Sequence, residues 1–148
     1  MMTANEIKNY ILVAVASGGS VLAHLLGGWD TGVQVLITLM AIDYVCGLLV
    51  AGYFKKSGKS ENGALDSRAG YAGLMKKMGI LLAVLLSAAL DRYLAIDFAR
   101  NAVILFYILN EALSVIENLA IMGVPFPDRI KNALEQMKTD DATDNQLQ

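Results

Sequence analysis

The sequence predicts an all-α polytopic membrane helical bundle, and three observations carry the prediction. Charged residues make up 18% of the 148 residues and apolar ones 55%, whereas soluble domains are roughly a quarter charged. Residues 31–54, 78–96 and 99–123 are long apolar runs, and about 20 helical residues cross a hydrocarbon core. A group of lysines follows the first of these runs, as expected at a membrane boundary. Residues 7–28 form a weaker fourth run, so four transmembrane helices are expected, with three as the alternative.

The opening MMTANEIKNY carries Glu6 and Lys8 in place of a basic leader, and no small-residue cleavage site follows. The first run is therefore expected to be retained. Gly18 and Gly19, in its central SGGS, lower helix propensity and permit close backbone approach. Its length and the following GGWD turn, with interfacial Trp29, favour four spans over three.

The second run ends in Tyr53 and Phe54, ahead of a loop over residues 55–77 that holds Lys55, Lys56, Lys59, Arg68, Lys76 and Lys77. GGWD holds no cation, so the positive-inside rule places the long loop in the cytoplasm. The C-terminus falls on the same side, in keeping with Arg129, Lys131 and Lys138, and only Arg92 and Arg100 fall outside. With four spans the N-terminus is also cytoplasmic; with three it is outside.

From Ser67 onward the loop holds a candidate helix, capped by Asp66 or Ser67. With Met75 and Met78 it either lies on the inner leaflet or forms a solvated connector. After the last run, GVPFP stops the helix: Gly123 suits a left-handed cap, and Pro125 and Pro127 cannot continue the ladder. A short amphipathic helix is expected in DRIKNALEQMK, with Ile130, Leu134 and Met137 on one face, before an acidic, disordered tail. The organisation is thus a transmembrane domain over 1–124 and a cytoplasmic helix and tail over 125–148.

Several function classes fall away. A net charge of −2 with no interleaved basic and aromatic pattern gives no nucleic-acid partner. Cys46 and His24 are each the only residue of their type, so neither a disulfide framework nor a metal cluster is expected. Ser114 has no evident base, and the glycine pairs lack a strand-to-helix phosphate loop. No enzyme and no cofactor are expected.

The polar residues at membrane depth are the informative ones. In FYILNEALSVIEN, residues 106–118, Tyr107, Asn110, Glu111, Ser114, Glu117 and Asn118 fall within an arc of about 120° on a helix. Asp43 in the second run and Asp91 near the end of the third add two more acids, with Gly47 and Ser87 one turn away. Lysines and arginines sit at the ends of the runs, so the four acids are expected to face no buried base. Protonation, hydrogen bonds from amides or an aqueous lumen would then have to compensate. The stripe is either polar glue within a bundle or a surface that meets water in a pore.

The order of these features resembles the phage-lysis and toxin-secretion holin family, the TcdE-like holins. The resemblance is carried by IDYVCGLLVAG, by SRAGYAGLMKKMG, by Asp91 and most specifically by NEALSVIENLAIMGVPFPDRIKNALEQMK. It implies a protein of the bacterial inner membrane that forms a homo-oligomer in the lipid bilayer and opens lesions. Through these an endolysin reaches the cell wall, or a large toxin leaves the cell. Asp43, Asp91, Asn110, Glu111, Ser114, Glu117 and Asn118 are then the candidate pore-lining or helix-interface residues. The residues alone leave two other classes open: a small cation channel or transporter subunit using these carboxylates, and a non-conducting membrane adaptor.

Overall fold

The computed structural model describes residues 2–54, 67–130, 132, 133 and 136, and every regular element among them is helical. The elements are α1 (Ala4–Leu25), α2 (Thr31–Leu49) with a π-helical continuation over Val50–Phe54, α3 (Ser67–Leu94) and α4 (Ala99–Ile121). Three helices, over Thr31–Phe54, Gly70–Leu94 and Ala99–Ile121, are long and apolar enough to cross a membrane. α1, the expected fourth span, is not among them.

Local chemistry sets the ends. α1 starts at a capping box: the Glu6 carboxylate accepts the Thr3 N–H at 2.7 Å, and the Thr3 hydroxyl accepts the Glu6 N–H at 3.4 Å. Asp30 caps α2 by accepting the Val33 N–H at 3.0 Å. α4 closes as expected on Gly123, whose φ of +87° lets the Val124 N–H reach the Leu119 carbonyl at 3.0 Å.

α4 packs against both α2 and α3, and the apolar core lies among the three. It comprises Val33, Leu36 and Met40 of α2, Ile80 and Val84 of α3, and Ile104 of α4, with Leu26 closing it from the α1–α2 turn. The ends of the bundle are distinct. One, here the hairpin end, gathers the α1–α2 and α3–α4 turns; the other is where α2 ends and α3 begins.

The α1–α2 turn depends on Gly27, which has a φ of +85°. A Cβ there would lie 2.6 Å from the Arg100 Nε and 2.7 Å from its Cδ. Gly27→Ala is expected to destabilise the fold by at least about 1–2 kcal/mol, the penalty of the left-handed backbone alone. Denaturation of the full chain in detergent micelles measures it.

α3 begins well before the expected third span. Lys76 and Lys77 therefore belong to a helix and not to a loop, and Ser67 is its first residue. Lys55, Lys56, Lys59 and Asp66 lie outside the described residues. Helix restarts after Pro127, over residues 128–130, with Ile130 exposed; Leu134, Met137 and the acidic tail lie outside the described residues.

Candidate functional site

The apolar core continues, one turn toward the loop end, into a charged layer. Along α2 the step runs from Met40 to Asp43, along α3 from Ile80 back to Lys77, and along α4 from Ile108 to Glu111. Each charged residue is three positions from a core or core-packed residue and so shares its face. Three helices thus converge on one cluster.

The Lys77 ammonium donates to the Asp43 carboxylate at 2.8 Å and to the Glu111 carboxylate at 2.5 Å. The second Asp43 oxygen accepts from the Asn118 side-chain amide at 2.9 Å. All three charged side chains are buried, Glu111 with 2% exposure. At 1.5 Å per residue, Asp43 and Glu111 each lie about 18 Å along their helix from its hairpin end, well into the depth of a bilayer.

This overturns the expectation that the intramembrane acids face no base. Lys77, assigned by its charge to a cytoplasmic loop, is the base. Its α3 backbone is within the span Gly70–Leu94, and its side chain crosses the interface to acids on two other helices. Among the described residues no buried side-chain nitrogen or oxygen lacks a hydrogen-bond partner.

The other expected site residues divide. Asn110 and Ser114 are half-buried on α4, beside the cluster in sequence. Glu117 is exposed, because it occupies the edge of the stripe about 120° away from Glu111. Asp91 is buried at the hairpin end, where its two oxygens accept the N–H groups of Ala99 at 3.0 Å and Arg100 at 2.9 Å. It tethers the start of α4 to the end of α3 and is apart from the Lys77 cluster. Of the remaining basic residues, Arg68 and Lys76 are exposed on α3.

Sequence reasoning also missed Arg100. Buried on α4, it donates from Nε to the Leu26 carbonyl at 2.5 Å, from Nη1 to Asp30 at 2.6 Å and from Nη2 to the Gly28 carbonyl at 3.3 Å. Arg92 adds a bond to the Leu25 carbonyl at 2.6 Å. The signal available in sequence was an acid, Asp30, and a base, Arg100, each at the start of an apolar run on the same side of the expected membrane.

The Arg100 hydrogen bond is the main reason that the Asp30 carboxyl sits below its ordinary value of 3.8, with the Val33 N–H adding to it against partial burial. A carboxyl depressed in the fold stabilises it above the unfolded value, and that stabilisation disappears as pH falls through the folded value. Stability is therefore expected to drop on acidification below about pH 4, and Asp30→Asn to flatten this part of the profile. With the Asp30 side chain 49% exposed, solvent screening keeps the effect small. Unfolding of both chains across a pH series checks it.

Comparison with known proteins is consistent in direction. The model of the bacteriophage holin family matches residues 20–139. An uncharacterized 14.9 kDa protein from the region 3' of nagH in Clostridium perfringens is 35% identical over 134 residues, 89% of this chain and 96% of the relative. An uncharacterized protein of Listeria innocua is 35% identical over 123 residues, 82% of each chain. A probable holin of Bacillus phage phi105 is 33% identical over 108 residues, 72% of this chain and 74% of the phage protein. No solved structure matches the chain significantly.

Proposed function

Because the chain belongs to the bacteriophage holin family, we propose that it oligomerises in the bacterial inner membrane and forms lesions that release an endolysin or a large toxin. The observation carrying the reading is the buried Asp43–Lys77–Glu111 cluster shared by the three helices that are apolar enough to span. A packed cluster of this kind is stable while all its members are paired and becomes costly in hydrocarbon once any pairing is broken. It therefore suits a bundle with two states. In the closed state the charges satisfy one another between helices. In a crowded oligomer the helices separate, and Asp43, Asn110, Glu111, Ser114, Glu117 and Asn118 face water.

The basic segment before α3 and the C-terminus face the cytoplasm in this account, following the excess of cations over the hairpin end. A cation channel is less well supported, since the Lys77 ammonium occupies the position between Asp43 and Glu111 that a permeant cation would need.

The test is induction of the chain in a bacterium that carries a cytoplasmic endolysin without an export signal, with turbidity and membrane potential followed together. Abrupt, delayed lysis requiring both proteins is expected. Depolarisation without lysis would indicate an ion-conducting pore, and no change in either readout a membrane adaptor. In the same assay Glu111→Leu leaves a one-to-one Lys77–Asp43 pair, so it is expected to delay lysis or abolish it while membrane insertion is retained. Unchanged timing would reject the role given to the cluster.

A further inference from the structure

Among the four long helices described, α1 packs least against the bundle. Apart from half-buried Ala23, every residue of α1 is exposed, and Arg92 ties its C-terminal end to the bundle by holding the Leu25 carbonyl. A helix that crossed the membrane beside α2, after a connection of only residues 26–30, would ordinarily pack antiparallel against it. This one leaves the bundle.

Its residues are sorted by face. At about 100° per residue, Ile7, Ile11, Val15, Gly18, Leu22 and Leu25 fall within an arc of about 80°. Asn5, Glu6, Asn9, Ser17, Ser20 and His24 fall within an arc of about 120° on the other side, which they share with Val13, Ala16 and Ala23, and Lys8 lies between the two arcs. An isolated span would turn that polar arc toward lipid. A water-borne helix would leave the apolar arc wet. Only a position with hydrocarbon below and water above satisfies both arcs.

The structure also fixes the depth at which α1 departs. Trp29, Tyr93 and Phe98 are all exposed at the hairpin end of the bundle, at 58%, 86% and 72%. Aromatic side chains gathered at one end of spanning helices mark the headgroup level. The C-terminal end of α1 meets this belt, and the Thr3 and Glu6 capping box satisfies the N–H groups at its other end from within the helix.

We propose that α1 lies in the plane of the membrane interface at the hairpin end, with Ile7, Ile11, Val15, Leu22 and Leu25 in the acyl boundary of the lipid. The chain then has three spans, and its N-terminus is on the side opposite the basic segment. Its occupant is lipid and not a second copy, because the aromatic belt places the apolar face against the bilayer that α2, α3 and α4 already occupy.

The test uses the full chain with Cys46→Ser, reconstituted in vesicles of phosphatidylethanolamine and phosphatidylglycerol at a low protein-to-lipid ratio. Single cysteines carrying spin labels replace Asn9, Ser17 and Ser20 on one arc and Ile11, Val15 and Leu22 on the other. Collision rates with oxygen, which partitions into lipid, and with a water-soluble nickel complex are then compared. The expected ratio of oxygen to nickel collisions is several-fold higher at Ile11, Val15 and Leu22 than at Asn9, Ser17 and Ser20. A ratio that rises to a single maximum near Ser17 with no difference between arcs means a transmembrane helix and overturns the proposal. Low access to both reagents along the apolar arc means a protein partner, and high nickel access at all six positions means a helix in water; either result also overturns it. The readout is independent of lysis, so it stands or falls apart from the holin reading.

Discussion

Replacing Lys77 with methionine is expected to destabilise the bundle by about 3–5 kcal/mol, the usual consequence of removing one partner from a buried ion pair. The reason is the stoichiometry of the cluster. One ammonium serves two carboxylates on two other helices, so its loss brings Asp43 and Glu111 face to face without a donor between them, in a layer closed above by Met40, Ile80 and Ile108. The Asn118 amide remains on Asp43. Removing all the charge together has a different outcome. Lys77→Met combined with Asp43→Asn and Glu111→Gln leaves neutral groups of similar shape and is expected to recover most of the lost stability, because no uncompensated charge stays in the interior. Denaturation of the full chain in detergent measures both variants. In cells the single variant is expected to lyse early and at low accumulation, and the neutral triple variant to lyse late. A single variant as stable as the parent would mean that the cluster does not hold the helices together.

The second large effect is expected at Arg100. Arg100→Leu removes the fork that joins α4 to the Leu26 and Gly28 carbonyls and to Asp30. Hydrogen bonds to a charged donor contribute about 1.5–3 kcal/mol each, but water reaches the half-exposed Asp30 and the turn once the side chain is gone, so the total is expected near the value of one such bond. The local consequence is larger than the global one. The 26–30 connection should become a site of rapid proteolytic cleavage, while the α2, α3 and α4 core stays protected. Arg100→Lys keeps the charge but not the planar fork, so it is expected to restore only part of the protection. Equal cleavage in the parent and in Arg100→Leu would show that the turn is held without the Arg100 fork.

The helices themselves were legible in the sequence because bilayer thickness imposes a length, and three runs of that length are present. The Gly123 cap was legible for the same kind of reason: a glycine just ahead of Pro125 has few other conformational uses. Lys77 was not, because a lysine at the edge of an apolar run reads as a membrane boundary. In the fold, α3 starts earlier at Ser67, so the same lysine is carried into the interface, where its long side chain spans two helices. Glu111 and Asn118 share one helical stripe in the sequence, yet the stripe alone could not say that Glu111 would be buried and Glu117, at its far edge, exposed. Asp91 was grouped with the other acids by residue type. Depth separates it from them: it sits at the hairpin end, occupied by the first N–H groups of α4. α1 posed the opposite difficulty, since its length argued for a span, whereas its weaker apolar character, its exposure in the fold and the sorting of its two faces argue against one.

The most direct measurement of the account is the water accessibility of position 114 before and after lysis begins. Ser114 lies on α4 one turn from Glu111, half-buried, and belongs to the surface that is proposed to turn toward water. Ser114→Cys, in a chain with Cys46→Ser, would be challenged with a membrane-impermeant thiol reagent during accumulation and again at the onset of lysis. The account predicts protection throughout accumulation and rapid modification at onset, with Leu113→Cys protected at both times. Modification of Ser114→Cys from the first moments of expression, or lysis without any modification, would contradict it.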